Sequence, residues 1–208
     1  MIIRCSILGK IMSNSRSKTD ILSKTAKAEI RSLVKQELFE YDTYLENKYL
    51  SKGIVCENDS IDLYNMVFFK NYEKNKTRLT NDWITGECDI ETDDTIIDIK
   101  SSWSKETFPA TEEEIDNKDY EWQLRGYMWL YDKPFAELAY CFVETPEEFL
   151  TYEKNETIHR TAGTPPELRV TVKRFDRDKE LEEQIKERIE ACRDYANEYR
   201  NQILNKNK

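Results

Sequence analysis

The stretch WITGECDIETDDTIIDIKSS, residues 83–102, decides how this chain folds. WITGECDIE and TIIDIKSS are rich in β-branched and apolar residues and are separated by Thr92, Asp93 and Asp94, which predicts an antiparallel hairpin with a short polar turn. Near the end of its second strand stands Asp98-Ile99-Lys100. Side chains alternate across a strand, so Asp98 and Lys100 emerge on one face. Glu46/Lys48 and Asp116/Lys118 share that spacing, but in a helix and in a polar segment. Only around Asp98 and Lys100 is the sequence apolar, where a charged pair costs free energy unless it has a partner or a metal. An edge-strand ion pair would satisfy the same pattern. Asp89 follows Gly86 on the first strand, and the turn would bring it beside Asp98. Two carboxylates so placed repel each other unless a cation lies between them. Read alone, Asp89 is also acceptable as a turn residue.

Outward from the hairpin, the chain alternates between helical and strand patterns. From Asp20 to about Leu50, Ile30, Leu33, Val34, Leu38, Tyr41 and Leu45 recur at three- and four-residue steps, an amphipathic helix broken once. Gly53 punctuates it. A second helix passes through Glu57, Ile61, Leu63 and Tyr64; with Ile54, Ile61 and Tyr64 marking its buried side, Glu57 is a candidate to point inward, against the reading of an exposed helical glutamate. After the acidic segment TEEEIDNKDYE, a helix carries Trp122, Tyr127, Leu130 and Tyr131. Gln123 and Tyr127 lie four residues apart and so share a face of it, where they could bind a phosphate or orient the lysine. A nearly continuous apolar run from Ala136 to Glu144 reads as a central strand, and Pro146 starts a short helix. Beyond the Gly163-Pro165-Pro166 loop, ELRVTVKRF alternates as a fourth strand, and a charged helix runs from about Arg177 to Ile203. This order predicts an α/β sandwich around one small mixed sheet flanked by helices.

Composition narrows the chemistry. With 208 residues, 38% of them hydrophobic, the chain can build one sizeable core, read here as a single domain over residues 13–208. Residues 1–12 lack the polar, helix-starting character of the segment beyond Met12 and are read as an extension outside the fold, with Met12 as an alternative start. Setting aside Arg4 and Lys10 with that extension takes the net charge from −9 to −11, which argues against a non-specific nucleic-acid coating protein but allows a local basic groove. No apolar run approaches the roughly 20 residues that span a bilayer, and the expected location is the cytoplasm. Cys5, Cys56, Cys88, Cys141 and Cys192 form no CxxC and read as reduced, buried small hydrophobes. His159, the sole histidine, rules out multi-histidine metal sites and is expected in a surface loop. The five glycines make neither a GxxxxGK[ST] nor a GxGxxG loop. Carboxylate, lysine and aromatic residues remain, a set suited to hard cations.

Together, Gly53-x-x-x-Glu57, Gly86-Glu87-Cys88-Asp89, Asp98-Ile99-Lys100 and Gln123-Leu124-Arg125-Gly126-Tyr127 occur in the order and the predicted structural setting of the PD-(D/E)XK nucleases. The chain resembles the QxxxY branch of that superfamily, which includes lambda-type phage exonucleases and RecB-type nuclease domains. The resemblance implies a restriction-endonuclease-like three-layer sandwich. It also implies one or two Mg²⁺ or Mn²⁺ ions held by Asp89, Asp98, the Ile99 carbonyl and Glu57, directly or through water. Lys100 is then a general base or a charged group that positions the nucleophile; three nearby carboxylates would stabilise its ammonium and favour the second role. Gln123 and Tyr127 would hold Lys100 or the phosphate in register. Ser101, Ser102, Trp103, Lys105 and Arg125 are the candidate DNA contacts, with Trp103 able to stack a terminal base. The implied activity is end resection of DNA beside a single-strand annealing protein, in a chain that forms a homo-oligomer. An endonuclease of repair or restriction type and a catalytically inactive nuclease-fold binding module are the alternatives. Two features depart from the pattern. Cys88 stands where a proline often precedes the acid, and Cys192 alone lies near the C-terminus, so no iron–sulfur cluster is expected.

Overall fold

A computed structural model describes residues 1–43, 47–151 and 153–206. Its elements in chain order are β1 (Ile3–Arg4), α1 (Leu8–Met12), α2 (Lys24–Phe39), α3 (Lys48–Val55), α4 (Glu57–Phe68), β2 (Leu79–Thr80), β3 (Ile84–Gly86), β4 (Ile90–Glu91), β5 (Thr95–Ser101), α5 (Lys118–Leu130), β6 (Phe135–Cys141), β7 (Val170–Asp176) and α6 (Lys179–Asn205). Capping residues start the helices where the sequence supplies them. Ser23 accepts from the Ala26 N–H, Asn117 from those of Asp119 and Tyr120, and Asp178 from that of Glu180, each satisfying otherwise orphaned donors.

The strands form two small mixed sheets, ordered β4-β5-β6-β7 and β1-β3-β2. β5 and β6 run parallel in register from Thr95↔Phe135 to Ser101↔Cys141, and β7 returns antiparallel to β6. Both central strands are apolar on two faces because both faces are covered. Ile96, Ala136 and Leu138 join the core built with Leu124 and Met128 of α5, whereas Ile97, Ile99, Ala139 and Cys141 pack with Ile61, Leu63 and Tyr64 of α4. The result is three layers, with Asp98 on the α5 side of the sheet. All five cysteines are buried and free. Among the described residues no helix is long and apolar enough to cross a membrane.

Several expectations need correction. Residues 1–12 belong to the fold: β1 pairs parallel with β3, and Ile3, Cys5, Leu8 and Ile11 are fully buried in the larger core. Gly9 lets α1 approach α5 so closely that a Cβ there would lie 2.3 Å from the Asp119 Cα. The single break expected in the helical stretch from Asp20 to about Leu50 is present, separating α2 from α3, but one of the residues expected on its apolar stripe does not serve there. α2 stops where Glu40 turns left-handed (φ 52°), Tyr41 is exposed, and Leu45 lies outside the described residues. Gly53 sits inside α3 rather than ending a helix, and Ile54 faces outward at 68% exposure. The expected hairpin survives only as Ile90↔Ile97 and Glu91↔Ile96; β3 leaves it for the second sheet. His159 is fully buried, because the loop around it folds over the Trp103 carbonyl.

Burying each of Ile3, Leu8 and Ile11 contributes about 1.5–3 kcal/mol, a large share of the about 5–15 kcal/mol typical of a whole domain. A chain lacking residues 1–12 is therefore expected to lose its cooperative thermal transition, read by circular dichroism. A truncated chain that melts like the full one would return those residues to the status of an extension.

Candidate active site

β5 delivers Asp98 and Lys100 to the α5 face together. Asp98 is 2% exposed, and Lys100 Nζ lies 2.5 Å from its Oδ2. Oδ2 is therefore occupied by the Lys100 ammonium, a charge pair inside the site. Oδ1 accepts from Gln123 Nε2 at 3.2 Å, and the same amide nitrogen lies 3.0 Å from Tyr127 Oη. Gln123 and Tyr127 thus share a face of α5, as their spacing predicts, but Gln123 bonds Asp98 rather than Lys100, and Tyr127 bonds only Gln123 in this group. Tyr127 in turn needs Gly86, since a Cβ there would come within 2.5 Å of its ring. Lys100 also sits over the Tyr120 ring, 4.6 Å from its centroid.

Asp89 reaches the same strand from its edge. β4 has only two residues, and just before it the Asp89 carboxylate takes the Ile99 N–H at 2.6 Å. Burial raises the Asp89 pKa from 3.8 to about 7, and the charges of Asp98 and Glu57 add to that, while Lys100 and the Ile99 N–H oppose it. Burial alone would lower the Lys100 pKa, but Asp98 and Asp89 outweigh it and hold the ammonium above its ordinary range. Lys100 is therefore kept charged.

Glu57 opens α4 on the other face of the sheet and bonds Lys74 Nζ. It is near enough for its charge to act on Asp89. Among the described residues, however, no three Asp, Glu, Cys or His side chains gather as a metal cage. The side chains that could hold an ion are Asp98 and Asp89, with Glu57 alongside, all of them oxygen donors. That suits a hard divalent ion, which is commonly held by one or two carboxylates with water and substrate oxygens filling the rest.

The expected DNA contacts divide. Lys105 is exposed and Trp103 half-buried, whereas Ser102 is buried, Ser101 Oγ pairs with Ser60 Oγ at 2.8 Å, and Arg125 is held by Glu121 at 2.5 Å. Sequence reading missed Lys74, Tyr120 and, above all, Lys52, whose ammonium is wholly buried among oxygens of Ser102, Trp103, Val143 and Thr145. Burial pushes its pKa down to about 8, against the pull of Cys56 and Glu144. A lysine on an amphipathic helix carries no sequence mark of burial, because its neighbours arrive from residues 50 and 91 positions away.

The chain is similar over 98% of its length to the crystal structure of a phage-related exonuclease from Haemophilus somnus 129PT, with 33% identity, 96% of that chain covered and a TM-score of 0.89. An alkaline exonuclease, LHK-Exo, from Laribacter hongkongensis, also solved in complex with dAMP, shares the fold at 13% identity and a TM-score of 0.69, over 99% of this chain and 92% of that one. No family model matches the sequence, and no curated protein does.

Crowded carboxylates have a measurable cost in the metal-free chain. With its folded pKa above the unfolded value, Asp89 binds its proton more tightly in the native state, so its contribution to stability falls as pH rises from about 3.8 to about 7. Asp89→Asn keeps an acceptor for the Ile99 N–H and is expected to raise the metal-free Tm by a few degrees at pH 8, at about 2–4 °C per kcal/mol, with the difference vanishing near pH 4. Mg²⁺ is expected to raise the Tm of the unaltered chain and not that of the variant. A lower Tm for the variant at pH 8 would contradict the electrostatic account.

Proposed function

This chain belongs to the family of phage-related exonucleases, lambda-exonuclease-like PD-(D/E)XK nucleases, and from that premise we infer that it is a phage-type exonuclease that hydrolyses phosphodiester bonds at DNA ends. The observation that carries the site assignment is the Asp98–Lys100 pair, buried beside Asp89 and held from behind by Gln123. Asp98 and Asp89 would hold Mg²⁺ or Mn²⁺, with Glu57 joining directly or through water. Bound there, the ion would polarise the scissile phosphate and acidify an attacking water. The closeness of the buried Asp89 and Asp98 carboxylates, whose charges act on each other, supports this reading.

The remaining roles follow from how the side chains are held. Lys100 keeps its proton beside two carboxylates, which disfavours it as a general base; its fixed charge instead orients the nucleophile and offsets the charge that builds on the phosphate in the transition state. Gln123 immobilises Asp98 through Oδ1, while Oδ2 faces the Lys100 ammonium. Tyr127 backs Gln123, so the QxxxY pair acts on the carboxylate and, through it, on Lys100. Trp103 and Lys105, at the end of β5, supply stacking and phosphate contact. Arg125 would have to leave Glu121 to do so. In a recombination role, the resected strand would pass to a single-strand annealing protein, and the chain would act as an oligomer.

Asp98→Ala and Lys100→Ala should each lower Mg²⁺-dependent degradation of linear duplex DNA by about 10²–10³-fold, the scale of losing one preorganised electrostatic group, while the far-ultraviolet spectrum stays unchanged. Closed circular DNA should resist the unaltered chain. Undiminished cleavage by both variants would remove the site assignment, and rapid cutting of closed circles would make the enzyme an endonuclease.

A further inference from the structure

Among the described residues, Lys52 is the largest fully buried charged side chain, at 0% exposure. Its Nζ lies 2.6 Å from the Ser102 carbonyl, 2.7 Å from Thr145 Oγ1, 3.1 Å from the Val143 carbonyl and 3.2 Å from the Trp103 carbonyl. Three donated protons therefore serve four oxygens, none of them a carboxylate.

The location of this hub matters more than its strength. The β5–β6 ladder ends at Ser101↔Cys141, followed by one bond from the Ser102 N–H to the Cys141 carbonyl. Past that point the two chains continue as loops whose carbonyls need other donors, and the ammonium gathers three of them. On its own side, the Lys52 carbonyl accepts from the Cys56 N–H at 2.8 Å, and the Cys56 carbonyl accepts from the Ser60 N–H at 3.0 Å. Cys56 Sγ meets the Glu144 carbonyl at 3.6 Å, and Ser60 Oγ meets Ser101 Oγ at 2.8 Å. The α3–α4 junction, with Glu57 next to Cys56, is thus tied to the end of the strand that carries Asp98 and Lys100. The Trp103 carbonyl is also bonded by Thr145 Oγ1 at 3.0 Å and lies 3.0 Å from His159 Nδ1, so the seat is rigid.

We propose that Lys52 is a positioning residue for DNA hydrolysis: by clamping the backbone after β5 and β6 to the start of α4, it sets Glu57 in register with Asp98 and Lys100. This rests on the exonuclease reading above. Lys52 is wholly enclosed by protein oxygens, so it acts through the placement of Glu57 and of the β5 terminus. An apolar residue in its place would fill the volume and leave the four oxygens without a common donor.

The test uses the full chain with Lys52→Met, which keeps length and removes the donors, together with Thr145→Val, which removes one acceptor, and Thr145→Ser, which restores it. Steady-state kinetics on linear duplex DNA, Mn²⁺ calorimetry without DNA and thermal melts are recorded for each. Lys52→Met is expected to lower kcat by about tenfold or more with KM within about twofold, the pattern of misplaced chemistry rather than lost substrate binding, and to weaken Mn²⁺ binding. Thr145→Val should lower kcat about threefold, and Thr145→Ser should recover it. A folded Lys52→Met with unaltered kcat and Mn²⁺ affinity overturns the proposal, as does a loss that disappears when each variant is assayed well below its own Tm. If Lys52→Met does not fold, the Thr145 pair decides by the same criteria. An unaltered chain that leaves DNA ends intact would overturn the exonuclease reading, whereas an active chain indifferent to Lys52→Met overturns this inference alone.

Discussion

An aspartate and a lysine two positions apart on an apolar strand must leave it on the same side, and the neighbouring structure is arranged around that fact. The pair is largely cut off from bulk water, with Asp98 2% and the Lys100 side chain 21% exposed. It is stabilised instead by mutual attraction, by the Gln123 amide on Oδ1 and by the Tyr120 ring under the ammonium. A second carboxylate, Asp89, is then brought close despite the repulsion. Such charge crowding opposes folding and favours cation binding, the exchange of stability for function expected at a reactive centre.

Sheet geometry explains why the acids come from different directions. Asp98 faces α5, while α4, with Glu57 at its start, covers the opposite face. The two sides communicate around the edge of β5, which is open there because β4 pairs with it over only two residues. Asp89 occupies that opening and takes the Ile99 N–H that a longer β4 would have used. A short edge strand thus serves both as an interruption of the ladder and as the entry for a carboxylate.

Support for the site extends into segments with no polar role. β1, the Cys5 turn and α1 pack under α5, and Gly86 makes room for the Tyr127 ring that backs Gln123. The line from the N-terminal strand to Asp98 is continuous packing: Cys5 and Tyr127 both crowd Gly86, and Tyr127 meets Gln123. On the far side, Lys52 and Ser60 tie the end of β5 to α4. Asp98 and Lys100 are therefore held from both layers.

Local rules were enough to read the α/β class, the shared face of Asp98 and Lys100, the approach of Asp89 and the Gln123–Tyr127 pair, because each follows from a period of two or of about 3.6 residues within one element or across one turn. Tertiary structure alone decided the rest. That Glu57 bonds Lys74, that residues 1–12 are core, and that His159 and Lys52 face the interior depend on segments distant in the chain. Their burial is a property of the assembled layers, since a side chain's environment is set by what packs against it and not by its own sequence neighbours.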